Sequence, residues 1–478
     1  MTLPLMRNAA LLSLSVTCVD CQRPGASARA ASGGAPASAV PSVIVSRFPA
    51  PSAEGVCADA LLRLSFSEHV SVGSAGTIRV FDERTAHPVD IVDLATASYS
   101  DTVDGRTFQQ TRPIFADGNE LSVHLRSHAL APNHAYFVTV DAGVFIDAAG
   151  RPVPAIVDPR AWRFSTGEPS PDKPGELSVS ADGDGDFCTI QGAVDYLPAQ
   201  NQKPVTIAIS SGIYHEMVFV DGKSAITFRG GDADPKRTTI AYANNEKLQG
   251  GRGAKYRAVF SVENADRLVF ENLTIHNLTP QGGSQAEALR IDPGDQIVLK
   301  NDVFLSLQDT LLLTGRVYAK DCTVAGNVDF VWGKGTAYFD HCAIQTVGRA
   351  GYVVQARNDG DYGYVFVDSK LSADPGITGN LLGRVEADRF PRSSVAYIDC
   401  QLGPDIDPAG WFIKGSQGQN PDSLDVSSIR FWEYHSVDAN GQPLDVSRRH
   451  RASRQISASE AEQARDRVTV LEGWDPGF

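Results

Sequence analysis

The sequence lacks any excess of basic residues. It contains 43 Lys and Arg against 57 Asp and Glu, which gives a formal net charge of −14. Proteins that bind nucleic acid need clustered Lys and Arg to neutralise phosphates, so this composition argues against nucleic acid as a partner. It also disfavours a strongly anionic ligand, whereas a neutral, esterified polymer would be tolerated.

Long apolar runs are absent beyond the N-terminus. A transmembrane helix needs about 20 apolar residues in a row, and we expect no such segment. The N-terminus carries Arg7, an apolar run from Ala9 to Val19, and then Ala28-Arg29-Ala30, which fits a signal-peptide cleavage pattern. We predict a signal peptide over residues 1–30 and a secreted or cell-surface protein, extracellular or periplasmic. A lipoprotein anchor at a leader cysteine stays open as an alternative.

Cysteine is scarce, with seven residues in the whole chain. Outside the predicted leader there is no Cys-x-x-Cys pair and no cluster of histidines, so we predict no metal site. Removing the leader leaves five cysteines, which can form at most two disulfides. They are Cys57, Cys188, Cys322, Cys342 and Cys400.

Composition divides the remaining chain into two domains. Residues 31–42 are rich in Ala, Ser, Gly and Pro and predict a flexible spacer. Residues 43–166 alternate short strands with turn residues, a pattern typical of a β-sandwich, and we interpret them as a spacer or adhesion module. Three prolines make residues 167–175 a stiff linker. Residues 176–478 form the second domain and show a different sequence pattern.

A short pattern recurs in the second domain. It consists of an apolar residue, a polar residue two places on, and an apolar residue three places further. The spacings between its polar residues are 29, 20, 20, 27 and 31. Strands that recur once per coil, without hairpin turns, predict a parallel β-helix and therefore an all-β protein. The polar residues are Asn272, Asn301, Asp321, His341, Asp368 and Asp399.

Two cysteines follow the polar residue of this pattern directly. Cys322 and Cys342 lie 20 residues apart, at equivalent positions of adjacent predicted coils. Such positions are separated by roughly 4.8 Å, within the roughly 4.4–6.8 Å between Cα atoms that a disulfide accepts. We therefore predict a disulfide between the two coils, with a pair of buried free thiols as the alternative.

Two aspartates share the same spacing. Asp309 and Asp329 also lie 20 residues apart, so we expect them to stack. Two neighbouring carboxylates cannot both ionise comfortably, so one pKa should rise, and one group can donate a proton while the other attacks as a nucleophile. Gln308 and Gln285, about one coil earlier, could donate hydrogen bonds to a developing oxyanion. Each residue alone could equally be a solvated turn or strand residue.

Several segments resemble, in order and spacing, the pectin methylesterases, a family of right-handed parallel β-helices. The match covers roughly residues 177–478, and residues 43–166 resemble a bacterial immunoglobulin-like domain. The matching segments are Asp182-Gly183-Asp184-Gly185-Asp186-Phe187, Gly212-Ile213-Tyr214-His215-Glu216, Gln285-Ala286-Glu287-Ala288-Leu289-Arg290, Gln308-Asp309-Thr310-Leu311, Asp329-Phe330-Val331-Trp332-Gly333, Gly410-Trp411 and Gly473-Trp474-Asp475-Pro476.

The resemblance implies a role for each matching residue. Asp329 would be the nucleophile that attacks a methyl ester, and Asp309 the general acid that protonates leaving methanol and then activates water. Gln308 and Gln285 would be the oxyanion donors, and Arg384 would hydrogen-bond the nucleophile. The implied substrate is pectin, which is methyl-esterified polygalacturonate, with no metal or organic cofactor. We expect the chain to act as a monomer.

Four positions depart from the family pattern. Where the family continues Leu-Gly-Arg with Pro-Trp, this chain has Val385 and Glu386. Trp332 replaces a usual Phe, and Glu287 replaces a usual Val. We expect Trp332 and Glu386 to contact the substrate, although simple packing of Trp332 is an equal alternative.

Other functions stay open at this point. The same fold and catalytic set could act on a non-pectin ester or a thioester, as Val385 and Glu386 suggest. A β-helix lyase or glycosidase fits the glutamines less well than an esterase does. A non-catalytic binding protein is the fourth possibility.

Overall fold

The computed structural model describes residues 42–96, 99–103, 105–110 and 113–477. The predicted signal peptide and nearly all of the predicted spacer lie outside the described residues. None of the described helices is both long and apolar enough to cross a membrane.

The first domain is a sandwich of mainly antiparallel sheets, in which Ala53–Val56 and Arg163–Thr166 form a parallel pair. Apolar and polar residues alternate along its strands, as in Leu62–Phe66, where every second side chain is buried. One sheet joins Ile44–Phe48, Leu62–Phe66, Glu120–Val123 and Ile114–Asp117; the other joins Ala53–Val56, Arg163–Thr166, Ala135–Val140, Thr77–Asp82 and Pro88–Asp93. Two smaller sheets pair Phe145–Asp147 with Val70–Val72, and Tyr99–Val103 with Arg106–Gln110.

The second domain is a parallel β-helix, which confirms the predicted all-β fold. Each complete coil contributes one strand to each of three sheets, and the first sheet extends beyond the other two at both ends. Neighbouring strands within each sheet pair in parallel. The first sheet contains Glu176–Val179, Val205–Ile209, Ile226–Gly230, Val269–Glu271, Ile297–Lys300, Arg316–Lys320, Thr336–Asp340, Tyr364–Val367, Ser394–Ile398, Arg430–Tyr434 and Ser453–Gln455.

The second and third sheets complete each coil. The second contains Gly212–Tyr214, Thr238–Tyr242, Thr274–Asn277, Val303–Leu305, Thr323–Gly326, Ala343–Thr346, Lys370–Ala373 and Gln401–Leu402. The third contains Val218–Asp221, Phe260–Glu263, Leu289–Ile291, Leu311–Leu313, Val328–Gly333, Tyr352–Ala356, Leu381–Glu386 and Trp411–Lys414. A short pair joins Ala265–Asp266 with Gly294–Asp295. The helices are Ile190–Tyr196, Ala458–Arg465 and Arg467–Val470, with 3₁₀ turns Pro235–Arg237, Ala254–Tyr256 and Pro421–Ser423.

The recurring polar residue marks the corner between the first and second sheets. All six of its instances have a left-handed backbone, with φ between 49° and 61°. Asn and Asp, which supply five of the six, tolerate this conformation better than other non-glycine residues. The apolar residues on either side are buried, and Phe339, Phe366 and Tyr397 stack with ring centroids 4.5 and 4.7 Å apart. The pattern therefore encodes one corner per coil and the core beneath it.

The predicted disulfide between Cys322 and Cys342 was wrong. Both residues are buried free thiols on adjacent coils. A disulfide also needs Cβ atoms about 3.8 Å apart, which requires the two side chains to converge. Residues stacked in register on parallel strands point in the same direction and keep the strand spacing of roughly 4.8 Å. The Cα separation was therefore a necessary condition but not a sufficient one.

The disulfide of the structure joins the two domains instead. Cys57 of the sandwich bonds to Cys188 at the start of the β-helix, with Cα atoms 5.9 Å apart. Further contacts come from Arg106, which donates to Glu263 at 2.6 Å, and from Phe108, which stacks on Phe219 at 4.3 Å. The sandwich therefore packs directly on the β-helix, in addition to being linked to it by residues 167–175.

Candidate active site

The two aspartates stack on adjacent coils of the third sheet. Gln308 forms a parallel bridge with Val328, so Asp309 and Asp329 occupy the next position on each coil. The Asp309 amide donates to the Val328 carbonyl at 3.0 Å. Both aspartates have left-handed backbones, with φ of 67° and 53°, and are 7% and 3% exposed. The spacing of 20 residues thus brings the two acids together as predicted from the repeat.

Asp329 is held by an arginine two coils further on. The Arg384 Nε donates to Asp329 Oδ1 at 2.6 Å, and Nη2 contacts Oδ2. Although burial works against the charge of Arg384, the Asp329 carboxylate holds the pKa of Arg384 above its ordinary value. This two-pronged contact fixes the orientation of the carboxylate and gives it a cationic partner.

Asp309 has a different electrostatic environment. Burial raises the pKa of its carboxyl well above the ordinary value, and the charges of Glu287 and Asp329 raise it further. Arg257 and Arg357 act in the opposite direction without overcoming burial. Asp309 therefore keeps a proton at pH values where an exposed aspartate has lost it, which makes it a candidate proton donor.

A second arginine contacts Asp309 and was not predicted from the sequence. The Arg257 Nη2 donates to Asp309 Oδ2 at 2.9 Å and to Glu287 Oε1 at 2.8 Å, while Nη1 donates to Glu246 at 2.9 Å. The carboxylates hold the pKa of Arg257 above its ordinary value although burial opposes this. The one signal for this arginine was Glu287 itself, because a carboxylate at a usually apolar position needs a cation.

The two glutamines lie beside the aspartates with uncommitted side chains. Gln308 directly precedes Asp309, and the Ala286 amide, next to Gln285, donates to the Gln308 carbonyl at 3.1 Å. No hydrogen bond joins either side-chain amide to another residue that the structure describes. Both amides are therefore available as donors to a substrate oxygen.

Trp332 lies on the outer face of the third sheet, in the same ladder as Arg384. Trp332 pairs with Gln355, and Gln355 with Arg384. The guanidinium of Arg357, also missed by the sequence analysis, lies 4.8 Å from the Trp332 ring centroid. The indole nitrogen has no hydrogen-bond partner among the described residues. The ring therefore packs against Arg357, and its indole nitrogen is buried.

Glu386 ends the strand that carries Arg384, two residues further along. Lys414 approaches its Oε1 at 3.1 Å and Arg389 its Oε2 at 3.1 Å. Burial would raise the pKa of Glu386, but Lys414 and Arg389 outweigh it and lower the pKa. The position thus carries a charged cluster of one acid and two cations.

Metal-binding capacity is limited in the part of the chain that the structure describes. The one group of potential ligands there consists of Cys57, Asp59 and Cys188. Both sulfurs are joined in the disulfide, and Asp59 accepts hydrogen bonds from the Cys188 and Thr189 amides at the start of a helix. The aspartates of the candidate active site contact arginines instead.

Fold and site together define a class, a carboxylic ester hydrolase built on a parallel β-helix. Comparison with known proteins names the family. The protein-family model described as Pectinesterase matches residues 176–464, and the family model described as a bacterial Ig-like domain matches residues 38–166. The chain belongs to the pectinesterase family.

Individual relatives agree with this assignment. Pectinesterase 31 of Arabidopsis thaliana is 36% identical over 221 residues, which are 44% of this chain and 68% of the relative. Pectinesterase 2 of Olea europaea is 30% identical over 328 residues, or 65% and 83% of the two chains. The solved pectin methylesterase from carrot is 25% identical, with a TM-score of 0.55 over 64% of this chain and 95% of that one.

Proposed function

We propose that this chain hydrolyses the methyl esters of pectin, that is, methyl-esterified polygalacturonate, and releases methanol. One observation supports this above all others. Two stacked buried acids have opposite environments, because Asp329 is paired with Arg384 and Asp309 carries a raised pKa. One nucleophile and one proton donor are the two groups that ester cleavage through a covalent intermediate requires.

In the first half of the reaction Asp329 attacks the ester carbonyl. The new bond joins an Asp329 oxygen to the carbonyl carbon, and the electron pair of the carbonyl moves to its oxygen. The amides of Gln308 and Gln285 stabilise this oxyanion. When the tetrahedral intermediate collapses, the methoxy group takes the proton of Asp309 and leaves as methanol. An acyl-enzyme on Asp329 remains.

In the second half Asp309 acts as a base. Having lost its proton, it accepts one from a water molecule, which attacks the acyl carbon. Collapse of this second intermediate releases the free acid of the polymer and returns the carboxylate of Asp329 to Arg384. Asp309 is protonated again, so one cycle consumes one water and one methyl ester.

Substrate contacts are proposed for Trp332 and Glu386. The Trp332 side chain faces the same side of the sheet as Arg384, so its ring can pack against a sugar there. Glu386 holds Lys414 and Arg389 at the edge of this face. Both residues would therefore contact sugars that flank the reacting ester.

A second candidate keeps the chemistry and changes the substrate. Glu386 stands where the family usually has the aromatic residue of Pro-Trp, and it forms a charged cluster. A different ester, or a thioester, could suit this surface better than a sugar ring does. Comparing hydrolysis of pectin with hydrolysis of small generic esters separates the two candidates.

We further propose that the protein is secreted or held at the cell surface and acts as a monomer. The N-terminal leader pattern and an Ig-like domain typical of extracellular proteins support the location. The contacts that hold Asp309 and Asp329 lie within one chain, so the proposed monomer would need no residue from a partner for these contacts.

Methanol release from highly esterified pectin tests the proposed function. We expect Asp329→Asn and Asp309→Asn each to reduce kcat by at least about 10³-fold. Asp321→Asn is the matched control, because Asp321 has the same left-handed backbone (φ 55°) in the same group of coils but is exposed. Full activity of either active-site variant would overturn the proposal, and so would release of methanol from small esters only.

A further inference from the structure

Glu287 is a buried carboxylate that the reaction described above does not use. It is 0% exposed, and the Arg257 Nε donates to its Oε2 at 2.9 Å and Nη2 to its Oε1 at 2.8 Å. The same Nη2 reaches Asp309 at 2.9 Å, and Nη1 reaches Glu246 at 2.9 Å. A single guanidinium therefore connects three carboxyl groups, one of which is the proposed proton donor.

The position of Arg257 is fixed by its backbone as well as by its partners. The Asn244 Nδ2 donates to the carbonyls on either side of Arg257, those of Tyr256 at 3.0 Å and Ala258 at 2.9 Å. Arg257 lies three residues before the buried strand Phe260–Glu263 of the third sheet, and it is only 7% exposed. The guanidinium is thus presented to Asp309 by a rigid framework.

Charges around Asp309 decide whether it can act as an acid. The largest charges that act on it are Glu287 from the preceding coil, Arg257 from the loop, Asp329 from the next coil and Arg357 from the coil after that. An unopposed guanidinium at hydrogen-bond distance would favour the ionised form, which cannot protonate methanol. Glu287 opposes that charge at an equally short distance.

We propose that Arg257 and Glu287 are positioning residues for Asp309: Arg257 fixes the orientation of its carboxyl group, and Glu287 offsets the charge of Arg257 so that the group retains its proton. The proposal rests on the proposed function. Glu287 occupies a position where the family usually has valine, so this carboxylate departs from the family pattern.

The pH dependence of kcat for methanol release tests this proposal through the opposite signs of two variants. Activity falls at high pH when Asp309 loses its proton. Glu287→Gln removes a charge that raises the pKa of Asp309, so we expect the alkaline limb to move down by about one pH unit. Arg257→Gln removes a charge that lowers it, so we expect the limb to move up, with a lower kcat because the hydrogen bond is lost.

Two further variants make the test specific. The double variant carrying both changes restores neutrality, and its alkaline limb should lie between those of the single variants. Glu433→Gln is the matched control, because Glu433 is also 0% exposed and paired with a buried arginine, Arg449, at 2.8 Å. It contacts neither aspartate, so we expect a loss of thermal stability without movement of the limb. A merely structural role of Glu287 predicts the same behaviour for Glu287→Gln.

Each outcome bears on the proposal. The proposal is overturned if the alkaline limb moves in the same direction in Glu287→Gln and Arg257→Gln, or moves in neither variant. An equal movement in Glu433→Gln would overturn it as well. If Glu287→Gln does not fold, Glu246→Gln replaces it, because Glu246 binds the same guanidinium from a partly exposed position and should move the limb in the same direction. Failure of the proposed function is distinct, since the wild-type protein would then release no methanol from pectin.

Discussion

Asp309 and Asp329 occupy equivalent places on adjacent coils, yet their surroundings differ in kind. They share a left-handed backbone and near-complete burial. Asp329 faces one arginine that contacts both of its oxygens, whereas Asp309 shares an arginine with a second carboxylate. The β-helix supplies two nearly identical positions, and residues from other coils decide which acid attacks and which donates a proton.

The largest effect is expected when the partner of the nucleophile is removed. Arg384→Gln leaves the buried Asp329 carboxylate without its cation, so we expect kcat/KM to fall by about 10³-fold and the free energy of unfolding to fall by about 3 kcal/mol. Methanol release and chemical denaturation measure the two quantities. Arg384→Lys keeps the positive charge but cannot contact both Asp329 oxygens as a guanidinium does. Its kcat/KM should lie between those of wild type and Arg384→Gln. Unchanged kcat/KM in Arg384→Gln would remove the distinction between the two acids.

A smaller effect is expected from one oxyanion donor. Gln308→Leu replaces the side-chain amide next to Asp309 with an apolar group of similar size. We expect kcat to fall by about 10²-fold with KM little changed. Gln345→Leu, on the strand Ala343–Thr346 of the second sheet, is the control and should retain wild-type kinetics. A rise in KM at constant kcat would assign Gln308 to substrate binding instead.

The smallest effect concerns the sugar contact. Trp332→Ala removes the ring that faces the same side as Arg384, and we expect KM for pectin to rise about 10-fold with a smaller change in kcat. Trp332→Phe should recover most of the affinity. Trp432→Ala, on the first sheet, is the control. If KM stays constant in Trp332→Ala, the ring serves packing alone.

The repeat explains why much of the fold could be predicted. Its polar residues occupy the left-handed corners and its apolar residues form the stacked core, so sequence periodicity maps directly onto coils. The same register placed Asp309 above Asp329. Local patterns of this kind are readable because each coil repeats one set of backbone constraints.

Contacts between segments distant in the sequence were harder to predict. The predicted cysteine pair failed because side chains in register on adjacent coils point the same way and stay one strand spacing apart, so equal spacing does not make them converge. Arg257 lies 52 residues before Asp309 and reaches it from an irregular loop, outside any period. The disulfide between Cys57 and Cys188 spans 131 residues and two domains. No repeat connects such positions, so only tertiary packing reveals them.

An aryl ester of a galacturonate oligomer can test the assignment of Asp329 as nucleophile and Asp309 as general acid and base. An aryl alcohol leaves without being protonated, so Asp309→Asn should still be acylated, while the missing base stops hydrolysis. We expect a burst of about one equivalent of aryl alcohol from Asp309→Asn and none from Asp329→Asn. A burst from Asp329→Asn, or identical behaviour of the two variants, would contradict the assignment of Asp329 as nucleophile.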